Sequence, residues 1–379
     1  MTTSVAADVG AQDARSLAEQ RVAVATQWQL IWWRFRKHKL ALGSTFVLAV
    51  FYLVVLFADF FAYADPHASD AQRSLIEPQS IHWFDEGRFH PYVHGLKGTR
   101  DPITFKRVYK LDTSSKIPLA FFVHGEPYRL FGFIPADLHL LGLEAKSSDA
   151  LVLLGTDVQG RDLWSRLVFA TRTSMTIGLV SVALSLVLGV ALGGVSGYFG
   201  GVTDTIIQRI IEILRSIPTI PLWMGLAAAV PSSWSVMQVY FAITIIISLI
   251  GWTELARVVR GRFISLKHED YVMAAELVGC NKTRIIFRHM VPSFISHIIA
   301  ATTLALPAMI ISETALSFLG LGLRPPAISW GVLLQQAQNV QTVAISPWLM
   351  APAVPVIVAV MAFNFLGDGL RDAADPYGR

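Results

Sequence analysis

The chain has 379 residues, 53% of them apolar and 15% charged, with a mean hydropathy of +0.51. A soluble domain carries about 25% charged residues, so this composition excludes an ordinary soluble protein and points to one that lives in a bilayer. The formal net charge of +4 sits in a few short stretches, which favours a membrane reading over a nucleic-acid partner. The lone Cys280 excludes an intrachain disulfide and a Cys-rich metal site.

A helix needs roughly 20 apolar residues to cross the hydrocarbon core. Six stretches qualify, at about 41–63, 173–198, 206–230, 236–256, 292–313 and 347–367. The first, ALGSTFVLAVFYLVVLFADFFAY, follows Arg34, Arg36, Lys37, His38 and Lys39, a basic block that the positive-inside rule keeps in the cytoplasm. Ala62-Tyr63-Ala64 at its end imitates a signal-peptidase site, but the apolar run is too long for a signal peptide. The third stretch is divided: Asp204, Arg209, Glu212 and Arg215 make its first half an amphipathic interfacial helix, and Pro218 and Pro221 interrupt it before LWMGLAAAV. The segment 257–291 carries Arg257, Arg260, Arg262, Lys267, Lys282, Arg284 and Arg288, whereas 314–346 carries only Arg324. That asymmetry predicts an all-α polytopic protein with six spans and both termini cytoplasmic.

The organisation is then a cytoplasmic segment 1–40, a first span 41–63, a periplasmic insertion 64–165 and a transmembrane domain 166–379 with an internal loop 257–291. The insertion is rich in His, Pro and aromatic residues, and ITFKRVYKL (103–111) and IPLAFFVHG (117–125) read as strands of a small mixed α/β subdomain. Six of the ten histidines lie in it, including His90 and His94; Pro91 would break a helix pairing those two, and no metal site is expected. Within the internal loop, 269–279 reads as a short helix ended by Gly279, followed by a second element from Ile285 that Pro292 punctuates. Such a pair suits docking into a groove of a cytoplasmic partner, although an ordinary basic loop reads the same way on spacing alone.

This loop resembles the coupling segment of binding-protein-dependent ABC importer permeases, whose pattern is Glu-Ala-Ala, three residues, Gly, nine residues and Ile-x-Leu-Pro. Ala274, Ala275, Gly279 and Pro292 match, His289 and Val291 take the last apolar positions, and Met273 replaces the leading Glu. Glu269, Asp270 and Glu276 lie near enough to substitute for that carboxylate, and Tyr271 and Arg284 belong to the same ATPase-coupling set. LGTDVQGRDLWSRL (154–167), SFLGLGLRPPAISWG (317–331) and NFLGDGLRDAADP (364–376) resemble signatures of the oligopeptide, dipeptide and nickel branch. The resemblance implies a type I importer permease fold, a related second permease as heterodimer partner, two ATPase subunits that bind ATP and Mg, and a periplasmic substrate-binding protein. Peptide is the implied cargo, with oligosaccharide or nickel as alternatives. It also implies that Asp157, Gly160, Arg161, Asp162, Pro325 and Pro326 lie on the periplasmic gate or binding-protein side.

Read as plain chemistry, Thr156 and Asp157 are candidates to cap the helix entering the second span, with Arg161 and Asp162 pairing locally. Asp59, His297 and Glu313 are the ionisable residues within spans, each near a predicted end where it could reach water. No Gly-Lys dipeptide occurs, so the phosphate-cradling G-x-x-x-x-G-K-[ST] loop is absent and the chain holds no cofactor of its own. No catalytic constellation stands out, and the rival from another class is an ion-coupled secondary transporter, which the lack of mid-span charges disfavours.

Overall fold

The computed structural model describes residues 26–100, 107–143 and 150–374. Residues 103–106 of the first expected strand, 1–25 of the N-terminal segment, and Asp375 and Pro376 lie outside the described residues.

Helix α1 (Gln27–Phe35) opens with a capping box, Thr26 and Gln29 each accepting from the other's backbone N–H. After the basic block, α2 (Lys39–Leu56) begins at His38, whose Nδ1 accepts the Ala41 N–H at 3.1 Å, and a short α3 (Ala58–Phe61) extends it. Next comes α4 (Leu163–Phe199), 37 residues and about 55 Å long at 1.5 Å per residue, well beyond the hydrocarbon thickness. Helices α5 (Gly201–Ser216) and α6 (Thr219–Ala228) are bent by 88° where Ile217 and Pro218 turn extended. Then follow α7 (Val236–Leu266), α8 (Asp270–Leu277), α9 (Ile295–Phe318), α10 (Trp330–Gln335), α11 (Val340–Ile345) and α12 (Ala353–Ala374). Five segments, Lys39–Leu56, Leu163–Phe199, Val236–Leu266, Ile295–Phe318 and Pro347–Ala374, are long and apolar enough to span a bilayer, and the bent pair makes a sixth if counted as one span.

Two expected boundaries move. The helix after 173 starts ten residues earlier, at Leu163, and the fourth runs on to Leu266, so Arg257, Arg260 and Arg262 are helical rather than part of the loop. Charged side chains end a hydropathic run without ending the backbone hydrogen bonding that makes a helix.

The centre of the bundle is the seam between α4 and α7. On α4, Ser181, Ser185, Gly189, Gly193 and Gly197 recur every four residues, all buried. They face Thr244, Ser248, Leu255, Ala256 and Arg260 of α7: Ser248 Oγ donates to the Ser181 carbonyl at 3.2 Å, and a side chain at Gly193 would collide with the Ala256 carbonyl. In lipid there is no hydrophobic drive between helices, so close backbone approach through small residues supplies the association. Helices α9, α12 and α2 pack in succession beside this pair.

The insertion departs from the mixed subdomain expected. Its described residues form one antiparallel meander of β1 (His82–Asp85), β2 (Arg88–Arg100), β3 (Arg107–Leu130) and β4 (Ile134–Leu143), with a single 3-10 turn at Ala71–Arg73 and no α-helix. The two expected strands are one, β3, which pairs with β2 through Tyr92↔Pro118 and Arg100↔Arg107 and with β4 through Leu119↔Leu143 and Leu130↔Ile134. Val93, Ile117, Leu119 and Leu151 form its small core. His139 ties β4 to the end of α3, its Nδ1 on the Ala62 carbonyl and its Nε2 3.0 Å from that of Glu126. His94 packs its ring on His82 and Tyr92, and among the described residues no three His, Cys, Asp or Glu side chains gather as metal ligands.

Replacing Gly193 by Val should overpack the seam and cost about 1–3 kcal/mol. The readout is a lower melting temperature of the purified chain, while Leu179→Val on the exposed face of α4 leaves it close to wild type.

Candidate functional site: the coupling segment and the outer clasp

Between α7 and α9 the chain folds into a compact helical unit. Helix α8 ends in a Schellman turn: Gly279 takes φ +79°, its N–H donates to the Glu276 carbonyl at 2.9 Å, and the Cys280 N–H donates to that of Ala275 at 3.0 Å. Asn281 caps the following turn, Lys282–Arg284, which runs into a π-helical stretch at Ile285–Met290. Pro292 does not end this element, as expected from the sequence. It sits in the first turn of Val291–Ser293, where a missing N–H is harmless, and the break falls at Phe294.

One face of this unit is anchored. Val272, Ile285 and Met290 are fully buried against Tyr198, Val259, Phe263 and Phe294, with Ala275 and Cys280 beside them. The end of α4 is clasped by polar contacts: Tyr198 donates its hydroxyl to Glu276 Oε1 at 2.9 Å, and Lys267 Nζ donates to the Tyr198 carbonyl at 3.2 Å. Lys267 and Lys282 also lie over the Tyr198 and Phe199 rings at 5.7 and 5.5 Å. Just behind, Arg260 grips Asp204 with two bonds of 2.6 Å, fixing α5 to α7.

The other face is open and apolar. Leu277 and Val278 are 88% and 83% exposed, and Met273, Ala274 and Phe287 are exposed with them. All three carboxylates placed near the missing Glu are exposed; Glu276 accepts from the Tyr198 hydroxyl, and Glu269 and Asp270 lie at the start of α8. Tyr271 is 3.5 Å from Ser293 Oγ, Arg284 is exposed and His289 half-buried.

At the opposite end of α4 stands a second polar cluster. Asp162, not Thr156 or Asp157, caps α4, accepting the Ser165 N–H at 2.7 Å and the Tyr63 hydroxyl at 2.6 Å. Thr156 instead binds the segment before β1, donating to the Arg73 carbonyl and accepting the Ile76 N–H. Arg161 pairs with Asp157 rather than Asp162, through bonds of 2.7 Å from Nε and Nη2, and both side chains are buried. Gln336, just past α10, donates to the same carboxylate at 3.2 Å. Burial opposes ionisation of Asp157, but the hydrogen bonds and charge of Arg161 outweigh it and hold the carboxyl below its ordinary value. Gly160, at φ +73°, turns this loop. Pro325 and Pro326 are placed elsewhere, lining a cavity of about 180 Å³ with Trp234 and Arg324.

The span carboxylates also differ from expectation. Glu313 does not reach water: α9 continues to Phe318, and Glu313 is fully buried, accepting from Ser174 Oγ at 2.9 Å and Ser317 Oγ at 2.8 Å. Those serines in turn accept the Trp330 and Leu323 N–H groups, so the carboxylate pins the chain after α9 to α4. Asp59 accepts from Arg172 at 2.6 Å. Only His297 faces open space, a cavity of about 770 Å³ shared with Arg215, Trp223, Glu254 and Arg371. The sequence reading passed over Tyr198, Arg260 and the small-residue ladder; the ladder's four-residue period was its available signal.

The described residues thus form a bundle of apolar helices that carries an anchored helical unit with an exposed apolar face. The profile of the family described as "Binding-protein-dependent transport system inner membrane component" matches residues 185–377, and that of the "N-terminal TM domain of oligopeptide transport permease C" matches 26–78. The oligopeptide transport system permease protein OppC of Bacillus subtilis is 37% identical over 223 residues, 59% of this chain and 70% of that protein. OppC of Haemophilus influenzae is 38% identical over 236 residues, 62% and 73%. The dipeptide permease DppC of Bacillus subtilis is 37% identical over 224 residues, 59% and 68%. Among solved structures, the inward-facing MetNI methionine ABC transporter is 18% identical over 55% of this chain and 95% of that one, with a TM-score of 0.43. The chain therefore belongs to the binding-protein-dependent transport system inner membrane component family, as a mostly helical ABC importer permease subunit that translocates rather than catalyses.

Burial, against the opposing hydrogen bonds from Tyr63 and Ser165, pushes the Asp162 carboxyl up to about 6 from an ordinary 3.8. In that window the folded state binds more protons than the unfolded one, so this site's contribution to stability falls as pH rises from about 4 to about 6. Asp162→Asn removes the titration and keeps one of the two acceptor contacts, because the Tyr63 hydroxyl and the Ser165 N–H bond different carboxylate oxygens. The variant's melting temperature should therefore fall less than wild type's between pH 4 and 7; equal slopes would contradict the assignment.

Proposed function

We propose that this chain carries peptides across the inner membrane as one permease of a heterodimer, driven by two partner ATPases and supplied by a periplasmic binding protein. The observation that carries the reading is the two-faced coupling segment. Its inner face is locked to α4 and α7, and its outer face offers Met273, Ala274, Leu277, Val278 and Phe287 to water. An exposed helical ridge of this kind fits a groove on a partner, with ATP and Mg held there. Met273 extends the apolar ridge where the family pattern has a Glu, so docking here rests on packing more than on a salt bridge.

In this reading the bent α5–α6 pair counts as the third of six spans and both termini are cytoplasmic, in line with the basic block at 34–39 and the basic residues of 257–291. The meander and the Asp157, Gly160, Arg161 and Asp162 cluster then face the periplasm, and the cluster braces the gate where the binding protein docks. Pro325 and Pro326 stiffen the neighbouring loop. The cavity beside His297 is the passage, and closure of the ATPases around nucleotide tilts its exposure from one side to the other. Each partner shifts that equilibrium only by its preference for one state. The relatives named for oligopeptide and dipeptide transport support peptide as cargo. Oligosaccharide or nickel would use the same machinery.

Substituting Leu277→Asp together with Val278→Asp should abolish ATP-driven peptide uptake in reconstituted vesicles, a loss of at least tenfold if docking is weakened by about 1.4 kcal/mol or more. Both side chains are exposed, so the helix itself should persist. Unchanged uptake would overturn the coupling role, and uptake driven by an ion gradient without ATP would favour a secondary transporter.

A further inference from the structure

Among its described residues the meander has two exposed hairpin tips of opposite character. Between β1 and β2 the turn is charged: Asp85, Glu86, Gly87 and Arg88. Trp83, Phe84 and Phe89 flank it, with ring contacts among themselves. Between β3 and β4 the turn is Leu130-Phe131-Gly132-Phe133-Ile134, with no polar side chain at all. Turns in water are built from Gly, Asn, Asp, Ser and Pro, because their backbone and side chains face solvent. Here Phe131, Phe133 and Ile134 are 52%, 73% and 43% exposed.

This apolar tip lies against the first span. The Phe131 ring meets Phe57 at 5.9 Å and Phe133 at 6.4 Å, while Phe122 of β3 meets Phe60 at 6.1 Å. Phe57 precedes Phe60 by one helical turn, on the side of the bilayer centre. The tip is thus the deeper of the two contacts. It also continues the exposed apolar stripe of α2, Phe46, Val50, Leu53 and Leu56, which in a membrane protein faces lipid. Arg129, exposed at the base of the turn, is placed where headgroup phosphates would lie. Aromatic residues with a neighbouring cation are the composition of a membrane interface.

We propose that the β3–β4 hairpin tip is seated in the outer interface of the bilayer, with Phe131, Phe133 and Ile134 in lipid, anchoring the meander to the membrane beside the first span. The inference rests on the chain being a bilayer-spanning permease. It gives the insertion a fixed height and tilt over the transmembrane bundle.

The test uses the full chain, purified with its partner subunits and reconstituted into phosphatidylethanolamine and phosphatidylglycerol vesicles, with Cys280→Ser removing the native thiol. Nitroxide labels are placed singly at Phe133→Cys, Arg88→Cys and Leu53→Cys, and collision with membrane-soluble oxygen is compared with collision with a water-soluble nickel chelate. At 133 and 53 the oxygen-to-nickel ratio should exceed that at 88 several-fold. Nickel access at 133 equal to that at 88, with 53 still in lipid, would overturn the anchor and leave the permease reading intact. Shielding of 133 from both reagents would mean that protein covers the tip and would also overturn it, whereas nickel access at 53 would defeat the span itself.

Discussion

Everything in this protein hangs on how closely α4 approaches α7. Lipid gives two helices no hydrophobic reason to associate, so contact energy must come from packing area and from hydrogen bonds across the seam. Ser181, Ser185, Gly189, Gly193 and Gly197 remove side-chain bulk along one line of α4, and the backbone of α7 moves into the space. One end of that seam is closed by the Asp204–Arg260 pair, and beyond the far end of α4 Asp157 binds Arg161 and Gln336. A helix so long and so fixed behaves as a strut that joins the coupling segment to the outer clasp.

The coupling segment is tied to that strut at its tip. Tyr198 receives Lys267 on its carbonyl and gives its hydroxyl to Glu276, while Val272 and Met290 pack around its ring. Bonds of 2.9 and 3.2 Å thus join α8 and the segment before it to the end of α4, and in the proposed function a push on the exposed ridge reaches α4 by this route. Toward the other end, Glu313 holds the chain after α9 to Ser174, so α4 and α9 share one polar knot. The cavity of about 770 Å³ near His297 is lined by residues of α4, α7 and α9.

Much of this was readable from residues alone, for reasons that can be named. The Gly279 stop of α8 and the Pro218 break between α5 and α6 are local signals, and the structure follows them. The errors arose where the deciding partner is distant in sequence. Glu313 read as an end-of-span residue because the apolar run stops there, yet Ser174, 139 positions away, supplies the bond that lets it be buried. Thr156 and Asp157 read as the caps and Asp162 as the partner of Arg161, whereas Arg161 binds Asp157 and Asp162, held by Tyr63, caps α4. The insertion read as mixed because its strands carry polar residues on both faces, and only the pairing of β2 with β3 reveals one continuous 24-residue strand.

The most direct measurement is contact itself. A photo-reactive benzoylphenylalanine placed at Leu277, the most exposed apolar side chain of α8, can be activated in native membranes and its adduct identified by mass spectrometry. A crosslink to a P-loop ATPase, lost when that ATPase is deleted, is the result expected of a coupling helix. A residue that labels only lipid, or no protein while the complex is intact, would contradict the transmission of force through α8.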